Sequence, residues 1–134
     1  MAKHHEGLIY TMVMASACDG DMTDREIQTI GQLVQTLPAF VEFNEDELPD
    51  ITRKCALYLA DEEGLADTLG FIRDTLPAKL YETAYAVACD VVAADGEAGQ
   101  EELRMLEMIR HRLDVDRLTA AAIERGARAR HMVA

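Results

Sequence analysis

Tryptophan is absent from the sequence, and aromatic residues make up only 5% of its 134 positions. There is also no run of 18 apolar residues, so we expect no membrane-spanning helix and no direct membrane insertion. Runs of β-branched residues are few, whereas alanine, leucine, methionine, glutamate and arginine are abundant, which favours helices. With 49% hydrophobic residues, the chain can build the core of one domain, residues 1–134.

Positive charge is scarce over most of the chain. Residues 1–103 contain six Lys or Arg against 21 Asp or Glu, whereas residues 104–134 contain seven against four. The net charge of −12 argues against nucleic acid or an anionic membrane as the default partner. The basic end either covers acidic surface, on its own chain or on a second copy, or forms a solvated helix face.

Paired cysteines and common catalytic motifs are missing as well. Cys18, Cys55 and Cys89 are widely separated and form no CxxC pair, so we expect buried thiols in a reducing compartment. The sequence has no G-x-S-x-G nucleophile elbow and no glycine-rich phosphate loop. Its acidic loops are expected to be exposed and to ionise normally, so we expect no enzyme activity.

The histidines show no metal-ligand pattern. His4 and His5 lie near a terminus that is expected to fray, while His111 and His131 are isolated in sequence. Solvated or capping roles are therefore expected for them, and zinc or iron sites are not.

The apolar residues recur at helical spacing along the chain. The predicted elements are a first helical hairpin over about 6–37, two middle helices within about 46–76, a second hairpin over about 78–113 and a C-terminal helix over about 115–130. Asp114 or Asp116 is expected to cap the last helix. In the first middle helix, burial is expected for Ile51, Cys55, Leu57/Tyr58 and Leu59. The expected fold is an all-α, single-domain bundle of about seven helices.

Two acidic stretches with the same spacing occupy the bends of the two hairpins. They read ACDGDMTDREI from Ala17 and AADGEAGQEEL from Ala93. An offset of 76 residues superposes Asp19 on Asp95, Gly20 on Gly96, Asp21 on Glu97 and Glu26 on Glu102, and the apolar positions that follow also coincide. Because neither hairpin can bury its apolar stripes alone, we expect the two to pack together with the middle helices as a lid.

Helix capping explains much of the first acidic stretch. Thr23 and Glu26 have the spacing of a capping box, in which the hydroxyl and the carboxylate each accept a hydrogen bond from the other residue's amide. The glycines that follow the first aspartates, Gly20 and Gly96, allow a positive φ after the preceding helix. On this interpretation the loops are capped turns without a metal.

The second stretch keeps its carboxylates but loses the capping hydroxyl, because Gly99 stands where the first has Thr23. Clustered carboxylate oxygens are the ligands that hard cations such as Ca²⁺ or Mg²⁺ prefer. The spacing is not that of an EF-hand, since the glycine directly follows the first aspartate. A divalent-cation site therefore stays open beside the capped turn.

At these residues the chain resembles the tellurite-resistance TerB-like family. The family's mark is a helix ending in aaDGe, followed by a glutamate-containing helix start. The segments VVAADGEAGQEELRMLEMI and MASACDGDMTDREIQTIGQLV are similar to its two hairpins, and LDVDRLTAAAIERGARARH is similar to its last helix. A related domain begins certain membrane-anchored DnaJ-type co-chaperones, so the fold does not by itself imply tellurite chemistry.

The resemblance implies an all-α bundle with pseudo-two-fold hairpins, a cytoplasmic location, and a link to stress or tellurite resistance. It also implies that the acidic loops bind metal, with the candidate ligands Asp19, Asp21, Glu26, Asp95, Glu97 and Glu102. One hypothesis is therefore a non-catalytic stress-response module that binds a divalent cation or a partner protein through these loops. The alternative is a pure protein-interaction or dimerisation domain whose loops only cap helices. Methionine-containing faces and the basic end favour a homodimer.

Overall fold

The computed structural model describes residues 3–17, 22–94, 96 and 98–134. These residues form seven α-helices: α1 (Lys3–Ser16), α2 (Asp24–Thr36), α3 (Leu48–Ala60), α4 (Gly64–Thr75), α5 (Tyr81–Ala93), α6 (Gln100–Arg112) and α7 (Arg117–Arg130). Short 3₁₀ helices at Pro38–Phe40, Glu45–Glu47 and Ala78–Leu80 lie in the connections. No strand occurs in these ranges, and the predicted all-α bundle of about seven helices is confirmed.

Two helices, α1 and α5, form the centre of the bundle. In α1 every residue from Gly7 to Ser16 is buried, and in α5 burial is continuous from Val87 to Val92. A helix that is buried on all sides has to be surrounded by other helices. The two pack against each other along their length, and α3 and α4 cover α1. Both acidic stretches therefore follow the ends of core helices.

The contacts between the two hairpins are reciprocal. The first helix of each hairpin packs against the second helix of the other, α1 against α6 and α5 against α2. This is the pattern that a two-fold relation between the hairpins predicts. The pseudo-two-fold relation and the predicted domain boundaries stay predictions.

The connection between α6 and α7 carries two aspartates with different roles. Asp116 is the N-cap of α7: its Oδ1 accepts from the Thr119 amide at 2.8 Å, and the hydrogen bonds from Thr119 lower the pKa of the Asp116 carboxyl. Asp114 instead has a positive φ of 53° and its Oδ2 lies 2.9 Å from Nη1 of Arg73 on α4. Of the two caps predicted for this helix, Asp116 is the correct one.

The start of α1 is packed against the rest of the bundle, contrary to the expectation for His4 and His5. The His5 side chain is only 7% exposed, and its ring centroid lies 5.1 Å from that of Phe43 and 5.8 Å from that of Phe40. Burial, with the neighbouring charge of His4, lowers the pKa of His5. The segment after α2 folds back over this end of α1, a long-range contact that local sequence does not reveal.

Burial of α3 is narrower than its apolar composition predicts. Ile51 and Cys55 are buried, but Leu57 is 66% exposed and Tyr58 is 43% exposed. The expectation that Leu57 or Tyr58 is buried was therefore wrong, because α3 faces the core on one side only. Among the described residues, no helix combines the length and the apolar character needed to cross a membrane.

Candidate functional site

Two of the six candidate ligands lie within the described residues. Glu26 is in the first turn of α2 and Glu102 is in the first turn of α6. Asp19, Asp21, Asp95 and Glu97 lie outside the described residues, as do Gly20 and Cys18. The geometry of the candidate site therefore depends on the two glutamates and on the residues that cap their helices.

Glu26 is held by the capping box that its sequence predicts. The Thr23 amide donates to Glu26 Oε1 at 2.8 Å, and the Glu26 amide donates to the Thr23 hydroxyl at 3.1 Å. This reciprocal pair satisfies two amides that the start of α2 leaves without helical partners. The predicted capping box is confirmed, and it holds Glu26 Oε1 at the Thr23 amide.

The second carboxylate oxygen of Glu26 is not explained by capping. The residue is 2% exposed, and no hydrogen-bond donor among the described residues reaches Oε2. An unsatisfied buried oxygen costs about 1–3 kcal/mol, and more when it is charged. A cation bound at Oε2 would remove that cost, so the local chemistry fits a positively charged ligand.

Glu102 repeats the placement of Glu26 in the second hairpin. The Gly99 amide donates to Glu102 Oε1 at 3.0 Å, and Glu102 is 8% exposed. The N-cap dihedrals also agree, with φ −73° and ψ 168° at Gly99 against φ −74° and ψ 161° at Thr23. Glycine has no hydroxyl to return the second hydrogen bond, so here the carboxylate makes the only side-chain contribution to the box.

Glu26 and Glu102, at the helix starts that follow the acidic loops, are buried and not exposed, whereas the exposure expected for the loop residues themselves stays a prediction. The capping box turns each carboxylate back toward the N-cap amide, and tertiary packing covers it there. Gly96 meets the expectation made for it, with a φ of 95° after the end of α5. In this left-handed region a residue with a side chain is disfavoured.

Among the described residues, no three His, Cys, Asp or Glu side chains form a group able to hold a metal ion. Glu26 and Glu102 can each supply one ligand. Further donors to a cation would have to come from the predicted loop residues.

The described cysteines are buried and lie in surroundings that disfavour the thiolate. Cys55 and Cys89 are buried, and burial raises the pKa of each thiol to about 12. A thiol with such a pKa carries almost no thiolate at neutral pH, and the thiolate is the reactive form. This agrees with the buried thiols expected from the sequence.

One polar cluster was missed by the sequence analysis. Asp90 on α5 is 8% exposed, and its Oδ1 accepts from Arg130 Nη2 at 2.6 Å and from Arg130 Nε at 3.2 Å. His131 Nε2 lies 3.4 Å from the same oxygen. The only signal for this cluster in the sequence was the basic C-terminal segment of an otherwise acidic chain. In the cluster, that segment contacts an acidic residue of its own chain.

The incomplete box of the second hairpin gives a stability prediction. Replacing Thr23 by alanine should lower the free energy of unfolding by about 1 kcal/mol, because the cap hydroxyl is lost. Replacing Gly99 by serine should raise it by about 0.5 kcal/mol, because serine can complete the box and restricts the unfolded chain. An added Cβ at Gly99 meets nothing closer than Glu102 Oε1, at 3.9 Å. Urea denaturation monitored by circular dichroism measures both changes, and a loss of stability in Gly99→Ser would contradict the shared cap geometry.

Comparison with known proteins identifies the family. The family model described as tellurite resistance protein TerB matches residues 5–125. Comparisons with curated proteins and with solved structures gave no match. The matched range contains both hairpins, whereas Arg130 and His131 lie beyond it. Since the match covers most of the 134 residues, the chain belongs to the TerB family of tellurite resistance proteins.

Proposed function

We propose that this chain is a non-catalytic stress-response module, associated with tellurite resistance, that binds a divalent cation such as Ca²⁺ or Mg²⁺ through its acidic loops. The association with tellurite resistance comes from its family. The observation that carries the cation is Glu26 Oε2, which is buried and receives no hydrogen bond from the described residues. Asp19 and Asp21 are the proposed further ligands in the first loop, and Asp95, Glu97 and Glu102 are those in the second.

The two oxygens of the Glu26 carboxylate have different surroundings, and this difference supports a role as a cation ligand. Oε1 accepts from the Thr23 amide and is accounted for by capping. Oε2 takes no part in the cap and receives no hydrogen bond from the described residues. Its burial is therefore unfavourable in the absence of a cation. Carboxylate oxygens are the usual donors to Ca²⁺ and Mg²⁺, and loops at helix ends can direct several of them inward.

Calorimetric titration of metal-free protein with CaCl₂ and with MgCl₂ tests the cation. We expect Glu26→Gln to weaken binding by about tenfold or more, since it removes one charged ligand while keeping an oxygen for the Thr23 amide. Without metal, Glu26→Gln should melt at the wild-type temperature or above it, because a buried charge is gone. At a cation concentration that saturates the wild type, Glu26→Gln should gain less stability than the wild type does.

The matched control is Glu62→Gln, an exposed glutamate in the α3–α4 turn. It removes the same charge far along the chain from either loop, so its binding isotherm should match that of the wild type. Glu102→Gln reports on the second loop independently. If millimolar Ca²⁺ and Mg²⁺ give the wild type neither heat nor a change in melting temperature, the cation proposal is wrong.

The alternative is a protein-interaction or dimerisation domain whose loops only cap helices. The complete capping box at Thr23 and Glu26 favours it. It predicts that Asp19→Asn and Asp95→Asn weaken folding without affecting the capture of a partner protein. An absence of cation binding in the titrations above would leave this alternative as the better description.

A further inference from the structure

The first turns of three helices meet at one cleft of about 1740 Å³ on the surface of the bundle. Its lining includes residues 3–6 at the start of α1, Asp50 and Ile51 at the start of α3, and Thr83 at the start of α5. The start of a helix carries the positive end of its dipole. Three such ends give the cleft a positive electrostatic bias within a strongly acidic chain.

The lysines of the chain add to this positive bias. All three of them, Lys3, Lys54 and Lys79, line the cleft, although the net charge of the chain is −12. Lys54 Nζ lies 3.8 Å from Glu6 Oε1. Lys3 and Lys79 are exposed and form no ion pair with the described residues. These two ammonium groups are therefore available to an anionic ligand.

Acidic residues also line the cleft, but helix starts account for most of them. Glu6 and Asp50 lie in the first turns of α1 and α3, and Glu47 is the N-cap residue of α3. Carboxylates are favourable at these positions because of the helix dipole. Asp50 is also paired with Arg53, which leaves Glu42 as the one acid of the cleft without such an explanation. Among the described residues no acidic or histidine cluster is able to hold a metal ion.

A buried histidine in the lining has an unused nitrogen. His5 is 7% exposed, and none of the described residues forms a hydrogen bond with its Nε2. Burial lowers the pKa of His5, so the ring is neutral at pH 7 and carries one N–H. A buried polar atom without a partner is unfavourable. A ligand oxygen that accepts a hydrogen bond from Nε2 would remove this cost.

Apolar side chains complete the lining of the cleft. They are Leu37, Val41, Phe43, Ile51 and Leu80. Val41 is 71% exposed, so a ligand that covers it removes apolar surface from water. The cleft therefore offers cations and a hydrogen-bonding nitrogen to one part of a ligand and an apolar wall to another part.

We propose that this cleft binds a small organic anion, whose carboxylate or phosphate group contacts Lys3, Lys79 and His5 and whose apolar part packs on Val41 and Phe43. The volume of the cleft exceeds the roughly 300–1,000 Å³ of most small-molecule sites, so there is room for such a ligand. No residue of the two acidic stretches lines the cleft. This site is therefore independent of the proposed cation site.

Four ligands that share an eight-carbon chain test the preference for an anion. Octanoate and octyl phosphate are anions, octylamine is a cation and octanol is neutral. Nuclear magnetic resonance of the histidine rings locates binding, because His4 and His5 line the cleft whereas His111 and His131 do not. We expect millimolar octanoate, octyl phosphate or both to shift the His4 and His5 signals only. Octylamine and octanol should cause smaller shifts, and the better anion identifies the head group.

A pair of lysine substitutions tests the anionic contact. Lys3→Gln combined with Lys79→Gln should weaken binding of the better anion by about fivefold, since each lysine contributes one exposed charge. Arg104→Gln combined with Arg125→Gln is the matched control. It removes the same charge from exposed residues outside the cleft, so its affinity should equal that of the wild type.

His5→Phe tests the buried nitrogen. It should weaken binding, read from the His4 signals, by about fivefold, because one hydrogen bond to the anion is lost. The melting temperature should not fall, because the new ring can keep the packing of His5 against Phe40 and Phe43 without a buried polar atom. If this variant does not fold, the lysine pair still decides the question.

Three results would each overturn the proposal. The first is an absence of shifts at His4 and His5 with both anions at millimolar concentration. The second is a shift of equal size with octylamine or octanol, since the cleft would then not select an anion. The third is equal weakening by the lysine pair and the arginine pair, since general attraction by charge would then explain the binding.

Discussion

Replacing Gly64 by alanine is expected to destabilise the protein by about 3 kcal/mol, because the new methyl group has no space. A Cβ built on Gly64 would lie 2.0 Å from the carbonyl oxygen of Tyr58 and 3.0 Å from Leu59 Cα. These are backbone atoms at the end of α3, so no rotation of a side chain can relieve the overlap. The α3–α4 turn would have to open, and urea denaturation would record the loss as a lower midpoint.

Gly31 provides the matched control for this substitution. It lies within α2, and a Cβ added there meets nothing within 4 Å. Alanine is favoured over glycine in a helix interior, so Gly31→Ala should stabilise the protein by about 0.5–1 kcal/mol. Opposite signs for the two substitutions are the expected result. Equal effects would mean that the close approach of α3 and α4 is not a determinant of stability.

The helices were predictable from sequence because their information is local. Apolar residues at helical spacing mark each helix, and the capping residues Thr23 and Asp116 mark two helix starts. The capping box at Glu26 was predictable for the same reason, since its two partners lie three residues apart. Spacing alone was sufficient wherever the interaction joins residues within about one helical turn.

Burial of polar groups was not predictable, because it depends on contacts between distant segments. His5 is covered by Phe40 and Phe43, and Asp90 is paired with a residue 40 positions later. Glu26 belongs to the same class: its hydrogen bonds are local, but its 2% exposure is a result of tertiary packing. The sequence therefore indicated the residue types of the candidate site, but not that Glu26 Oε2 receives no hydrogen bond from the part of the chain that the structure describes.

Positions that are equivalent in the sequence repeat are not all buried to the same extent. Ile30 and Leu106 are both buried, and Ile27 and Leu103 are both about half exposed, at 51% and 54%. Leu33 and Ile109 are equivalent under the same offset, yet Ile109 is 0% exposed whereas Leu33 is only partly buried against the core. The second hairpin therefore relies on this position more than the first hairpin does.

This difference predicts unequal costs for the same truncation. Ile109→Ala should lower the free energy of unfolding by about 3–4 kcal/mol, because it leaves a cavity in a fully packed site. Leu33→Ala should cost about 1–2 kcal/mol, because water can reach part of the space that it vacates. Ile109→Val, which removes one methylene group, should cost about 1 kcal/mol and shows whether the loss scales with the volume removed.

The Ile109→Ala substitution should also affect the candidate site, because Ile109 and Glu102 lie on the same helix. If Ile109 anchors α6 to the core, its truncation should increase hydrogen exchange at the Gly99 amide. That amide donates a hydrogen bond to Glu102 Oε1 at 3.0 Å. Leu33→Ala should leave that amide unchanged and act, weakly, on the Thr23 amide of the first hairpin. Equal unfolding costs for Ile109→Ala and Leu33→Ala would instead mean that the two hairpins share the core equally, as their sequences alone suggest.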